Sequence, residues 1–357
     1  MPLLDKVFVD WPHIDVECSP LEFWGWKYKG NPMPEMLHSV ALVDGRIVGC
    51  CHVMPLKIKI GGASESCLTN VDLAVHADHR QRGLMNRIGD TRDQVAPGLG
   101  FQIGYNITGN PILVKVLAES RARFPFDIVN LVRIRDIDLQ LEKMPVGGAI
   151  VKKAGFLALR AFNRIQTSLA SGNAGGGGVS LRVVDRFDDR IGTFWDEAAK
   201  YYDFIVERKK EYLNWKYCDP RVGRFRVVLA EERGRVIGYC VSRINAFRAD
   251  YPVGFIVDIH ALPGCEGVVE ALAGDAVRCF DESGVNIINC QLVRGHPYVD
   301  VMERLGFLDS RVEFHMFYQF YGASDPLAAI ASSPAGRVYV SWGDHDVLPV
   351  KMPAYKK

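Results

Sequence analysis

The chain has 357 residues, of which 48% are hydrophobic and 24% charged, and its basic residues outnumber its acidic residues by one, 43 to 42. Its length exceeds one ordinary domain, and its composition is that of a folded globular protein rather than a disordered one. The near-neutral charge argues against a nucleic-acid partner, and no apolar run reaches the ~20 residues of a membrane-spanning helix.

The nine cysteines are odd in number and form no Cys-x-x-Cys pair. This pattern indicates neither a zinc site nor a disulfide framework, so we expect free thiols and no metal. The polar N-terminus lacks the features of a signal peptide. These observations together predict a cytoplasmic protein.

The first half is predicted to alternate strands and helices, beginning with a hairpin. The Asp44-Gly45 pair lies between apolar segments and is a strong hairpin signal. The predicted elements are strands over 38–43, 46–54, 56–60 and 67–75, a helix over 83–95, a strand over 101–105 and a helix over 111–120.

The segment from Asp72 to Ile88 is the most informative part of the chain. An apolar strand ending at Val75 runs into the basic, glycine-bearing turn His79-Arg80-Gln81-Arg82-Gly83, and this turn begins a helix. Backbone N–H groups, the positive end of the helix dipole and arginine side chains then converge on one point. Such a turn is predicted to bind phosphate.

The middle of the chain has an unusual composition. Residues 143–184 contain no acid, and 150–169 reads as a basic amphipathic helix that either lies on a membrane surface or packs on its own domain. The segment 171–178 is rich in glycine and predicts a linker between two domains.

The second half repeats the first. Trp26-Lys27-Tyr28 corresponds to Trp215-Lys216-Tyr217, and Gly45-Arg46-Ile47-Val48-Gly49 to Gly234-Arg235-Val236-Ile237-Gly238 at the same spacing. The aromatic repeat indicates core packing rather than a ligand platform. The predicted elements are strands over 225–231, 235–245, 254–259 and 285–290, with helices over 268–283 and 297–305.

These features resemble the GNAT acetyltransferase superfamily, whose acyl-CoA signature is an apolar strand followed by Arg/Gln-x-x-Gly-x-Gly/Ala. Arg80 and Gly83 match the signature, and Met85 departs from it. The resemblance covers 20–135 and 185–320. It implies an α/β class with two GNAT-like domains in tandem, each an α+β mixed sheet flanked by helices. The expected division is 1–140, a linker over 141–178, 179–325 and a tail over 326–357.

The resemblance also implies a set of site residues. The expected pyrophosphate cradle and pantetheine contacts are Leu73, Ala74, Val75, Arg80, Gln81, Arg82, Gly83, Leu84, Met85 and Asn106. Asp72 is a candidate general base, with a purely structural contact as the alternative. The family's usual tyrosine acid falls near Leu117, so no acid is assigned.

The second half lacks the cradle, because Pro263 and Glu266 stand where the basic turn is expected. This half is expected to complete the acceptor pocket instead. Near the end, 338–346 reads as an apolar strand with an acidic turn. There Asp344 or Asp346 either binds a substrate amine or is solvated.

The sequence therefore predicts an acyl-CoA-dependent N-acyltransferase that uses acetyl-CoA or another acyl-CoA. The acceptor is a small-molecule primary amine, and an amino sugar on a nucleotide carrier is one candidate by analogy of fold. Two alternatives stay open. One is an aminoacyl-tRNA-dependent peptidyl transferase of the same fold, and the other is a non-catalytic module that senses acyl-CoA.

Overall fold

The computed structural model describes residues 2–8, 11–12, 15–33, 36–143, 178–245, 250–322 and 325–346. We call residues 2–143 the N half, 178–322 the C half and 325–346 the tail. The predicted basic helix over 150–169 and its membrane contact lie outside the described residues, as does nearly all of the glycine-rich linker. The predicted domain boundary stays a prediction.

The strands follow the predicted order, with additions. They are β1 His38–Val43, β2 Arg46–Ile60, β3 Ala63–Val75, β4 Ile103–Thr108, β5 Ala122–Arg123, β6 Ile128–Ile134, β7 Val179–Val184, β8 Phe204–Val206, β9 Arg226–Glu232, β10 Arg235–Asn245, β11 Val253–Ala261, β12 Ile287–Val293 and β13 Leu308–Phe320.

The described helices are α1 Pro2–Val7, α2 Pro20–Trp24, α3 Leu84–Val95, α4 Pro111–Ser120, α5 Ile137–Lys143, α6 Arg190–Ala198, α7 Lys210–Tyr217, α8 Glu266–Glu282, α9 Pro297–Arg304 and α10 Pro326–Ala329. A π-helical turn, Gly25–Lys29, extends α2. None of these helices is both long and apolar enough to cross a membrane.

The two halves share one mixed sheet because each contributes a strand to the other. The order across the sheet is β1-β2-β3-β4-β13-β6-β12-β11-β10-β9-β7. Strand β13 of the C half lies between β4 and β6, and β6 of the N half lies between β13 and β12. Strand β8 also crosses over and pairs with β2. The two halves therefore follow one another in the sequence, but their strands form one continuous hydrogen-bonded sheet.

The repeated tryptophans meet where the two halves pack together. The rings of Trp26 and Trp215 stack with centroids 5.1 Å apart. The indole Nε1–H of Trp26 donates to the carbonyl of Trp215 at 2.8 Å, and that of Trp215 donates to the carbonyl of Trp26 at 3.0 Å. This reciprocal pair relates the halves by a local pseudo-two-fold axis, and the predicted packing role is confirmed.

The repeated glycines let a helix approach the sheet in each half. A Cβ on Gly49 would lie 2.8 Å from the Cδ1 of Ile88 in α3, and a Cβ on Gly238 would lie 2.9 Å from the Cγ1 of Val268 in α8. A larger residue at Gly49 would force the Ile88 side chain to move, whereas one at Gly238 would also meet the backbone carbonyl of His260 at 2.9 Å. The Gly-x-x-x-Gly repeat thus encodes one helix–sheet contact twice.

One predicted break in a strand is wrong. The sequence suggested separate strands on either side of Pro55, but β2 runs without interruption from Arg46 to Ile60. Pro55 pairs with Leu68 of β3, and β1 reaches only as far as His52 on the other side. The missing N–H therefore costs no ladder hydrogen bond, because among the described residues no strand pairs with β2 at Pro55 on that side, where Asn31 Nδ2 donates to the Pro55 carbonyl at 3.0 Å.

The tail packs into the body of the protein. Its segment from Val338 to Asp344 is buried, and Val338 forms a single parallel bridge with Phe204 of β8. The predicted strand is therefore only a bridge, followed by a 3₁₀ turn over Trp342–Asp344. The solvated alternative for this turn is wrong.

We expect the Trp215→Phe substitution to lower the free energy of unfolding by about 1–3 kcal/mol more than Trp195→Phe, because it leaves the buried carbonyl of Trp26 without its donor. Trp195 is the matched control: it is also buried, and its indole has no hydrogen bond to another described residue. Urea unfolding measures both losses. Equal losses would contradict a stabilising role for the reciprocal hydrogen bonds.

Candidate acyl-CoA site

The basic turn has the geometry predicted from its sequence. Strand β3 ends at Val75, and α3 begins at Leu84 with Gly83 as its N-cap. Gln81 and Gly83 both have positive φ, 61° and 69°. This left-handed backbone is strained for most residues, which explains the glycine at the helix start.

The start of α3 is suited to an anion. Its first turn contains no acidic residue, so the N–H groups of the helix end face outward without a competing carboxylate. Arg82 is exposed beside it. The Nε of Arg80 donates to the carbonyl of Val75 at 3.2 Å, which holds this side chain against the end of β3. Leu84 and Met85 form the half-buried first positions of the helix.

Strands β3 and β4 separate beside this turn. They pair in parallel only from Cys67 to Thr69, opposite Ile103 to Tyr105, and part beyond that point. The N–H of His76 donates to the carbonyl of Val48 in β2, so the N–H of Ala74, two residues earlier and opposite Cys50, also faces β2. By strand alternation, Leu73 and Val75 present their N–H groups to the gap.

The narrow end of the gap is bridged by two asparagines. The Nδ2 of Asn70 donates to Oδ1 of Asn106 at 2.7 Å, and the Nδ2 of Asn106 donates to the carbonyl of Asn70 at 3.2 Å. Asn106 therefore lies at the gap, as its predicted role requires, but its amide already has partners.

Asp72 is the centre of a buried ionic cluster rather than an open base. Its carboxylate accepts hydrogen bonds from Trp11 Nε1 at 2.9 Å, Lys27 Nζ at 3.0 Å and the Tyr28 hydroxyl. Burial alone would raise the pKa of Asp72, but Lys27 and the hydrogen bonds outweigh it and hold that pKa well below its usual range. A carboxylate held ionised in this way has little tendency to accept a proton.

Lys27 links this cluster to the end of the tail. Its Nζ lies 2.7 Å from Oδ1 of Asp346, while its other contact is Asp72. Burial alone would lower the pKa of Lys27, yet the two carboxylates raise it, so the ammonium stays charged. Burial raises the pKa of Asp346, and Asp72 adds to this shift against the opposing effect of Lys27.

Asp344 has a structural environment. Its carboxylate accepts two hydrogen bonds from Arg208, at 2.8 and 3.0 Å, and both side chains are almost fully buried. Burial also raises the pKa of Asp344. Arg208 lies 3.3 Å from Asp258, the counterpart of Asp72 in the C half. The two candidate aspartates therefore have different surroundings. Asp344 binds Arg208 of the C half, and Asp346 binds Lys27 of the N half.

In the C half, the gap corresponding to that between β3 and β4 is filled by protein. The Tyr339 hydroxyl accepts from the N–H of Ile259 at 3.1 Å, and the Tyr298 hydroxyl accepts from the N–H of Ala261 at 3.2 Å. These N–H groups correspond to those of Leu73 and Val75. Because tyrosine hydroxyls already satisfy them, the C half has no free backbone donors at this place.

A cavity lies between the halves beside Asp346. Its walls are mainly aromatic, and its polar lining includes Lys216 and His345. The full lining comprises Phe23, Trp26, Lys216, Tyr217, Val222, Phe225, Arg243, Val257, Trp342, Gly343, His345 and Asp346. Residues of both halves and the tail therefore form a single enclosure.

Sequence reasoning missed Lys27, Tyr28 and Asn70 as site residues. The repeated Trp-Lys-Tyr was the available signal, since a lysine inside a buried aromatic segment requires a nearby carboxylate. Among the described residues, no group of three or more His, Cys, Asp or Glu side chains is arranged to hold a metal ion.

Comparison with known proteins supports a GNAT-like fold in the N half. Residues 25–94 match the acetyltransferase (GNAT) domain. A search of curated proteins finds no match.

Two solved structures have a similar fold over most of this chain. Saccharomyces cerevisiae N-myristoyltransferase with bound myristoyl-CoA has a TM-score of 0.60 at 11% identity, over 91% of this chain and 75% of that one. A conserved Enterococcus faecalis protein, described as a probable N-acyltransferase, has a TM-score of 0.54 at 11% identity, over 84% and 69% of the two chains. The GNAT domain match thus covers residues 25–94, and the two solved structures share the fold over most of the chain.

Proposed function

We propose that the chain is an acyl-CoA-dependent N-acyltransferase whose donor binds to the N half and whose acceptor amine occupies the cavity between the halves. The observation that carries this proposal is the difference between the two gaps. The gap beside Leu73 and Val75 has outward backbone donors and leads to an anion-binding turn, whereas tyrosine hydroxyls fill its counterpart.

The donor site follows from the direction of the gap. The CoA pyrophosphate binds to the start of α3, near Arg80 and Gly83, where backbone N–H groups and basic side chains converge. The pantetheine arm then runs along the separated strands, between Leu73 and Asn106. The neighbouring N-myristoyltransferase binds an acyl-CoA and has the same fold, which agrees with this placement.

Asp346 is the group we assign to the acceptor amine. It lines the cavity, and Lys27 connects it to Asp72 beside the donor strand. Its raised pKa makes it a better proton acceptor than Asp72, whose pKa is held low. We therefore infer that Asp72 positions Lys27 and that Asp346 accepts the proton.

The reaction is a direct transfer. Asp346 accepts the proton that the amine loses as its nitrogen forms the C–N bond with the thioester carbonyl and the C–S bond breaks. The N–H of Leu73 stabilises the developing oxyanion. The CoA thiolate leaves and takes its proton from water, because the chain has Leu117 where the family's acid is expected.

The acceptor class that we propose to test first is an amino sugar on a nucleotide carrier. The cavity has a volume of about 30 Å³, so only the reacting amine would enter it, while the sugar and the nucleotide would lie outside.

We expect Arg80→Ala combined with Gly83→Asp to weaken acetyl-CoA binding at least tenfold, because the change removes one cation and adds a negative charge at the anion site. Calorimetry on the full chain measures the dissociation constant. Gly264→Asp is the matched control, since Gly264 has a similar positive φ of 76° in the C half. An equal loss in that control would place the donor site elsewhere.

Absence of acetyl-CoA binding by the wild type would favour the tRNA-dependent alternative. Binding without release of the CoA thiol would favour the sensing module.

We expect Asp346→Asn to reduce kcat about 100-fold or more, the usual scale of a general base. Since Asp346 works only when ionised, the rate of the wild type should rise with pH through a pKa above the ordinary aspartate range, and the variant should lose this dependence. Assays of CoA thiol release over a range of pH measure both kcat and its pH dependence. Asp344→Asn serves as the control, for which we expect lower stability but an unchanged pH profile. An unchanged profile in Asp346→Asn would contradict its role as the base.

A further inference from the structure

The narrow end of the gap between β3 and β4 is polar, although this position is apolar in the other half. Asn70 and Asn106 stand three residues after the first paired residues, Cys67 and Ile103. The corresponding residues of the C half, three after Val253 and Ile287, are Ile256 and Cys290. The amide pair is thus a feature of the N half alone in this repeat.

A buried arginine holds the amide pair from behind. The Nη1 of Arg92, in α3, donates to Oδ1 of Asn70, and Arg92 is only 5% exposed. The Nε and Nη2 of Arg92 donate to Oδ1 of Asp93 at 2.8 and 2.6 Å. The Tyr321 hydroxyl donates to the same carboxylate at 2.8 Å. This network ties α3, β3, β4 and the residue following β13 together.

The amide pair lies where the acyl chain of the donor would end. From Val75 to Asn70 the strand advances five residues, roughly 17 Å at the usual rise. The thioester carbonyl, at the N–H of Leu73, lies three of these residues or roughly 10 Å before Asn70, so the gap holds an acyl chain of about that length. Any further methylene groups would have to pass the hydrogen-bonded amides of Asn70 and Asn106.

We propose that Asn70 and Asn106, held by Arg92, limit the donor to short acyl chains. This inference rests on the proposed function, since it needs the donor to lie in this gap. A long alkyl chain would break the hydrogen bonds between the two amides and bury the freed polar groups beside methylene groups. The selectivity differs from that of the neighbour that binds myristoyl-CoA.

The test is binding of a series of donors to the full chain by calorimetry: CoA, acetyl-CoA, butyryl-CoA, octanoyl-CoA and myristoyl-CoA. We expect acetyl-CoA, butyryl-CoA and octanoyl-CoA to bind with similar affinity, and myristoyl-CoA at least tenfold more weakly. Equal or tighter binding of myristoyl-CoA would overturn the inference while leaving the donor site intact. Failure of CoA and all its esters to bind would instead overturn the proposed function.

Variants then assign the selectivity to this network. Asn70→Ala and Arg92→Met should each reduce the ratio of myristoyl-CoA to acetyl-CoA dissociation constants at least threefold. The control is Asn130→Ala, because Asn130 bonds to Ser310 at 3.1 Å on β6, outside the gap. Two variants are included so that misfolding of one does not decide the result. If the folded variants keep the wild-type ratio, the amide pair does not set the chain length.

Discussion

The stacked pair of Trp26 and Trp215 is the contact on which the rest of the structure depends. Each indole donates to the other's carbonyl, which fixes the beginnings of both halves in one mutual orientation. The following Lys27 and Tyr28 are thereby directed to Asp72, and Tyr217 to Asp258, 3.5 Å away. The exchanged strands β6 and β13 then lock the halves into one sheet. Buried charges are tolerated because this rigid frame holds their partners in place.

From this symmetrical frame the two halves have diverged in chemistry. In the C half, Tyr298 and Tyr339 satisfy the backbone of the open strand, and Arg208 ties the tail down through Asp344. The same tail then continues to Asp346, which contacts the N half. The C half and the tail therefore bring a carboxylate to the N half, where we propose that the backbone donors bind the acyl donor.

The sequence predicted local structure well and long-range contacts poorly. Helix Pro111–Ser120 and strand Arg235–Asn245 have the predicted bounds, because capping residues and alternating apolar positions mark them locally. The strand exchange was not predictable, since it depends on pairing between strands far apart in the chain, such as β4 with β13. The partners of Asp72 and the burial of Asp344 were missed for the same reason, because the local sequence does not show whether water or a distant basic side chain binds a carboxylate.

The account rests on a single donor site in the N half, and hydrogen exchange with and without acetyl-CoA tests this most directly. Amides of residues 73–88 should gain protection when acetyl-CoA is added to the full chain, while those of 259–270 should be unchanged because tyrosine hydroxyls already cover that strand. Protection confined to 259–270, or none at either segment, would contradict the central claim that the open gap of the N half binds the donor.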